Sequence, residues 1–268
     1  MTLVTASSLA DKEAQRNFFS ENGYIGAFAL PNLTSLEALV KGIEQSESPR
    51  AHLVRGIKKR LGLNAKHPIF VRDAHIRSRL VYQLASEPTI LEDVANLLGP
   101  DILLWISEAI SRKPGSRGQS WHIDIINAQI SGVHVSVALT DMNRQNGCLQ
   151  VIPKTHTYTI DLQECARQGA CNLYDPESLL ALADRLHPEN APHQIVPLEM
   201  KKGEYSFTKG GLWHGVGNNS TQQNRLGLVA RYMQTDRKCL NLKEQPVPCL
   251  LVRGKDRYQL NDLHQPPN

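Results

Sequence analysis

Between Ile102 and Arg231 the chain is a succession of short apolar, β-branched runs, each soon broken by Gly, Pro or Asn. Runs of that length suit strands, and many short strands separated by turn signals lead to a sandwich or barrel. Within this region Val133, Val135, Val137 and Leu139 alternate with His134, Ser136, Ala138 and Thr140, so one face is apolar and the other polar. The polar face can line a pocket. His134 and Ser136 are then candidates for substrate contact and Thr140 for co-substrate contact. His134 also reads as an ordinary hydrogen-bonded core histidine.

The chemistry-bearing stretch is Trp121-His122-Ile123-Asp124. On a strand, side chains two apart share a side, so His122 and Asp124 face one interior and Ile123 the other. A distant histidine on a neighbouring strand can complete a two-histidine, one-carboxylate set, which leaves three positions of an octahedral Fe(II) open. With ten histidines in the chain the spacing alone is a weak signal, and His187-Pro188-Glu189 is a competing pair. Pro188 removes a ladder donor and follows a helical pattern, so that pair belongs where a helix ends. The same ligand types also suit Zn2+ with water in the open position, for a hydrolase or isomerase. A metal-binding barrel without turnover is a third reading.

Downstream, Trp213-His214-Gly215 is flanked by glycines that let the backbone pass close to a metal. Arg225, Gly227, Val229 and Arg231 then share one face of a strand. An arginine pointing into a barrel keeps its charge and needs a buried anion, and a dicarboxylate supplies one in bidentate geometry. Arg225 is the choice for that role. Arg231 is a candidate for holding substrate or pairing with an internal acid.

Several segments together resemble the phytanoyl-CoA dioxygenase family: Phe18-Phe19-Ser20-Glu21-Asn22-Gly23-Tyr24-Ile25, Leu97-Leu98-Gly99-Pro100-Asp101, Lys113-Pro114-Gly115, Trp121 to Asp124, Val137 to Asp141, Asn146 to Pro153, and His214-Gly215 with Arg225. The resemblance is nearly chain-wide. It implies a mainly β protein with flanking helices, built on a double-stranded β-helix of the jelly-roll, cupin-like type. It implies Fe(II) held by His122, Asp124 and His214, with 2-oxoglutarate and O2 as co-substrates and Arg225 on the distal carboxylate. Lys113 matches a basic position that the family uses near co-substrate or substrate. The carboxylate at Asp124, where related halogenases carry a small residue, favours hydroxylation, desaturation or rearrangement. Two departures stand out: Lys154-Thr155-His156 replaces the usual Gly-Ser-His, and Val216 replaces a serine that assists the co-substrate.

A chain of 268 residues suits one oxygenase domain. Residues 1–100 are expected to be mainly helical support, 101–235 the β-helix core and 236–268 a tail with one edge element. Leu9 to Asn22 reads as an amphipathic helix stopped by Gly23 and followed by a strand, Tyr24 to Leu30. Capping-box patterns at Thr34 to Glu37 and Thr89 to Glu92 each open a further helix. Residues 158–197, with a helix from Pro176 to Leu186, read as a lid or specificity segment, or as padding on the barrel wall.

Charge is uneven. Nine Lys or Arg stand against one acid between Arg50 and Arg79, within a net charge of +4. The plain reading is a solvated helical face; the functional one is attraction of a small anionic or carrier-linked substrate. Nucleic acid is disfavoured, because Phe70 and Tyr82 are the only aromatics nearby. No apolar run is long enough to span a bilayer. No secretory leader is evident at the N-terminus, and five cysteines without a CxxC pair suit a reducing cytoplasm.

Overall fold

The computed structural model describes residues 11–46, 57, 60, 73–124, 132–240 and 245–268. In chain order these form α1 (Lys12–Asn22), β1 (Tyr24–Ala29), α2 (Thr34–Ser46), α3 (Arg79–Ala85), α4 (Pro88–Leu98), β2 (Ile102–Arg112), β3 (Gln119–His122), β4 (Val133–Ala138), β5 (Leu149–Val151), α5 (Leu162–Arg167), α6 (Pro176–Leu186), β6 (Val196–Leu198), β7 (Glu204–Lys209), β8 (His214–Val216), β9 (Arg225–Gln234) and β10 (Leu250–Arg253). Contacts divide the chain into two compact units, Met1–Ala29 with Ser111–Leu226, and Leu30–Ile110 with Gly227–Asn268. Most of the Arg50 to Arg79 basic window, and Ile130 of the expected sheet region, lie outside the described residues.

In the first unit, β1, β7 and β4 pair antiparallel in that order, and a second antiparallel sheet runs β3-β8-β5-β6. The α1 helix is closed at both ends by its sequence. The Asp11 side chain accepts the Ala14 N–H, and Gly23 takes the left-handed conformation that a helix stop favours. Phe19 is the buried residue of this helix, while Phe18 packs edge-on against Tyr24 beside Val151, Leu198 and Leu212. Across β4 both faces are buried apart from Ser136, so the alternation of polar and apolar residues does not divide solvent from core. Its polar face looks inward.

The second unit contains α2 to α4 with β10, most of β9 and β2 up to Ile110; Ser111 and Arg112, which end β2, belong to the first unit. Both expected capping boxes give way to stronger local signals. Thr34 is itself the first helical residue and gives its N–H to the Asn32 side chain, and α4 starts at Pro88, which has no N–H to cap. Tyr232 donates its hydroxyl to the Ala85 carbonyl, and Arg253 pairs with Glu92 at 2.8 Å. The tail supplies the expected edge element, β10, which pairs with β2.

Two histidines outside the ligand set are held neutral, one per unit: His75 is fully buried and His156 half-buried. Burial lowers both His156, beside Lys209, and His75 to about 4. Their unfolded value is about 6.5, so the folded state binds fewer protons than the unfolded one between those limits. Their contribution to stability is complete above about 6.5 and is lost as pH falls towards 4. Replacing both with Gln should flatten the dependence of Tm on pH across that window, as read by calorimetry.

Candidate metal centre

His122 and His214 are directly opposite one another in the β3–β8 register, which brings their ring centroids to 4.2 Å. Each ring is aimed by its own strand. His122 Nδ1 lies 2.8 Å from the Ser120 carbonyl and His214 Nδ1 lies 2.8 Å from the Leu212 carbonyl. A carbonyl only accepts, so both Nδ1 atoms carry the proton and each Nε2 keeps its lone pair, that of His122 accepting from the Gln119 side-chain amide at 3.0 Å, a bond that a metal ligand would replace. Strand β3 ends at His122, so Asp124 sits in a bend rather than two places along a strand. Its carboxylate still reaches both rings, with Oδ1 3.7 Å from His122 Nε2 and Oδ2 3.7 Å from His214 Nε2. One ligand atom from each of the three residues fits within 4.8 Å.

Burial lowers the His214 pKa to about 4, against the raising pull of Asp124, so the ring is neutral and able to ligate well below neutral pH. His134, buried on β4, lies with Nδ1 3.3 Å from Asp124 Oδ2. The expected substrate contact thus touches the carboxylate of the metal set. Gln119 Nε2 lies 3.0 Å from His122 Nε2, a neighbour the sequence reading missed.

The tryptophans that precede the two histidines anchor the site. Trp121 and Trp213 share one buried cluster with Ile152, Tyr158, Leu162, Leu179 and Leu182. Helices α5 and α6 of the 158–197 segment therefore pack directly behind the metal strands. Tyr158 donates its hydroxyl to His193 Nε2 at 2.6 Å, and His193 Nδ1 bonds Asp184 at 2.6 Å, which ties the C-terminal end of α6 to the loop that follows it and to Tyr158. The competing pair, His187 and Glu189, bond each other at 2.8 Å just beyond α6, where a helix end was expected.

Glycine at 215 has a reason other than the one inferred from sequence: a Cβ there would lie 3.1 Å from the Trp121 ring. At Gly118 a Cβ would lie 2.0 Å from the Val216 carbonyl, which is backbone and has little room to yield. Gly118→Ala should therefore separate β3 from β8 and lower Tm more than Gly215→Ala, whose overpacking should cost about 1–3 kcal/mol. Thermal melts of both variants check the ranking.

Arg225 opens β9, is 6% exposed, and places Nη2 3.2 Å from Met142 Sδ. Its Nε has no partner, and no carboxylate pairs with it among the described residues. Burial, then the charge of Arg112, lowers its pKa to about 10, which leaves it cationic at neutral pH. Thr140 Oγ1 accepts the Leu226 N–H at 2.9 Å and so aligns the strand start that carries Arg225. Lys113 is exposed in a turn, whereas the preceding Arg112 is half-buried. Ser136 lies opposite Ser206 across β4 and β7. Arg231 is half-buried in the second unit, further along β9.

The sequence profile described as Phytanoyl-CoA dioxygenase (PhyH) matches residues 19–227. Dioxygenase af480 of Aspergillus fumigatus is 27% identical over 168 residues, 60% of this chain and 45% of that protein. Ectoine dioxygenase of Bordetella parapertussis is 24% identical over 189 residues, 64% of this chain and 58% of that protein. The chain thus spans about half the length of these relatives. The solved structure titled CytC3 with Fe(II) and alpha-ketoglutarate superposes with a TM-score of 0.62 at 20% identity, covering 92% of this chain and 90% of the other. That likeness establishes the fold, a double-stranded β-helix.

Proposed function

Because the chain belongs to the phytanoyl-CoA dioxygenase family, we propose that it is an Fe(II)- and 2-oxoglutarate-dependent dioxygenase carrying out oxidative C–H chemistry, with hydroxylation as the reaction. The observation that carries this is the coincidence of two features in one unit: three ligand atoms within 4.8 Å, and a buried arginine with no acid to pair with among the described residues. The first suits iron with open positions; the second suits a dicarboxylate.

Bound at this site, iron with 2-oxoglutarate and O2 supplies the power to oxidise a substrate C–H bond, with succinate and CO2 as co-products. His122 and His214 offer Nε2 because backbone carbonyls hold their Nδ1 protons. Asp124 completes the set and is steadied from behind by His134. Arg225 anchors the far carboxylate, with Thr140 fixing the strand from which it projects. The wall of Trp121, Trp213 and the 158–197 helices keeps bulk water from one side of the centre.

The substrate in this reading is a small metabolite, anionic or carrier-linked, motivated by the basic stretch in the sequence. The whole chain acts as one oxygenase domain in a reducing, cytoplasmic setting, consistent with five free cysteines. No described helix is long and apolar enough to cross a membrane.

The test is release of succinate from 2-oxoglutarate by the iron-loaded protein under O2. Succinate production that needs iron and is lost on metal removal supports the reading. A protein that binds metal at His122, Asp124 and His214 yet never consumes 2-oxoglutarate overturns it in favour of a zinc hydrolase, an isomerase or a non-catalytic barrel.

A further inference from the structure

Among the described residues Arg225 is not the only guanidinium in this region without an acid. Arg112, the last residue of β2, also has a buried Nε without a partner, and the Asn219 side chain joins its backbone to that of Gln223, two residues before Arg225, by donating to both carbonyls. Its remaining contacts are neutral: Nη1 donates to the Arg117 carbonyl at 3.0 Å, and Nη2 reaches Gln119 Oε1 at 3.4 Å. The Asn219 side chain holds its carbonyl at 2.9 Å, which fixes the backbone from which the side chain leaves. Gln119 in turn contacts His122 Nε2, so a polar line runs from Arg112 to the metal set.

Two cations that share a partly dry region repel one another, and buried polar atoms without partners are costly. An anion between them removes both penalties. A carboxylate has two oxygens and about four acceptor positions, enough for two guanidiniums. We propose that Arg112 is a second anchor of the 2-oxoglutarate pocket, sharing the far carboxylate with Arg225. This rests on the dioxygenase reading and deepens it. Lys113, exposed next door, does not take this role.

The experiment compares 2-oxoglutarate with 2-oxopentanoate, which keeps the chelating end and lacks the far carboxylate. Binding of each to Fe(II)-loaded protein is measured anaerobically by calorimetry and by the visible charge-transfer band of the chelate. Arg112→Gln is expected to weaken 2-oxoglutarate by about tenfold and leave 2-oxopentanoate and iron binding unchanged. Arg112→Lys, which keeps the charge without the fork, should lose less. If Arg112→Gln weakens both keto acids equally, the residue acts through the 113–118 turn or Gln119 and the proposal is overturned. An unchanged 2-oxoglutarate affinity also overturns it, while a band that persists in Arg112→Gln and disappears in Arg225→Ala leaves the dioxygenase reading intact. No band in the unaltered protein removes both. Should Arg112→Gln melt early, the same comparison of keto acids in Arg112→Lys decides.

Discussion

Arg225→Ala is expected to weaken 2-oxoglutarate binding by a hundredfold or more, on the order of 3 kcal/mol, while Fe(II) still binds. The size follows from burial. At 6% exposure the guanidinium has little solvent to screen it, and removing it leaves the far carboxylate with Arg112 alone in place of two guanidiniums. Arg225→Lys should recover part of the loss, because the charge returns without the planar fork. The same physics predicts an opposite effect on the protein without co-substrate. A buried cation with no acid beside it is a burden on folding, so Arg225→Met should raise the Tm of the empty protein. Adding 2-oxoglutarate and metal should then raise the Tm of the unaltered protein but not of the variant. If Arg225→Met neither gains intrinsic stability nor loses its response to 2-oxoglutarate, Arg225 is not waiting for that anion.

The strand carrying His122 was read from its surroundings, the alternation of Val133 to Thr140 downstream and the Lys113 to Gly118 loop upstream, rather than from its own residues. The partnership with His214 was not readable from spacing, since a register between strands far apart in sequence leaves no local trace. Family resemblance supplied it. The position of Asp124 shows the limit of periodicity: the pair works although the strand stops before the carboxylate, because a bend can still bring the side chain round. Both helices announced by a Thr-x-x-Glu pattern form, α2 from Thr34 and α4 one residue early from Pro88; what differs is the cap, where Asn32 lies ahead of Thr34 and Pro88 ahead of Thr89. Gln119 and Arg112 were missed for a different reason. Both flank a turn rich in Gly, Pro and Ser, where polar residues are the rule and carry no periodic mark. A usable sign was present for Arg112: it ends the mostly buried strand that begins at Ile102, where an arginine has to find an anion or reach water.

The metal set allows a graded prediction. His214→Ala removes an Nε2 that faces its partner across the β3–β8 register, and no other described residue belongs to the three-ligand cluster. Affinity for Fe(II), or for Ni(II) as a redox-inert probe, should fall by well over a hundredfold, with Asp124→Ala similar. His134→Ala tests something subtler. Its Nδ1 touches Asp124 Oδ2 at 3.3 Å, so it orients a ligand without being one of the three. Loss of such an outer partner is expected to cost about 10–100-fold in metal affinity. The ordering is what discriminates: His214→Ala and Asp124→Ala lowest, His134→Ala between them and the unaltered protein. Were His134→Ala to match His214→Ala in calorimetry, His134 would be a ligand and the two-histidine reading would fail. Were it to leave metal affinity untouched while weakening only substrate-dependent turnover, the histidine would belong to the substrate, and the carboxylate would be held by the β-sheet alone.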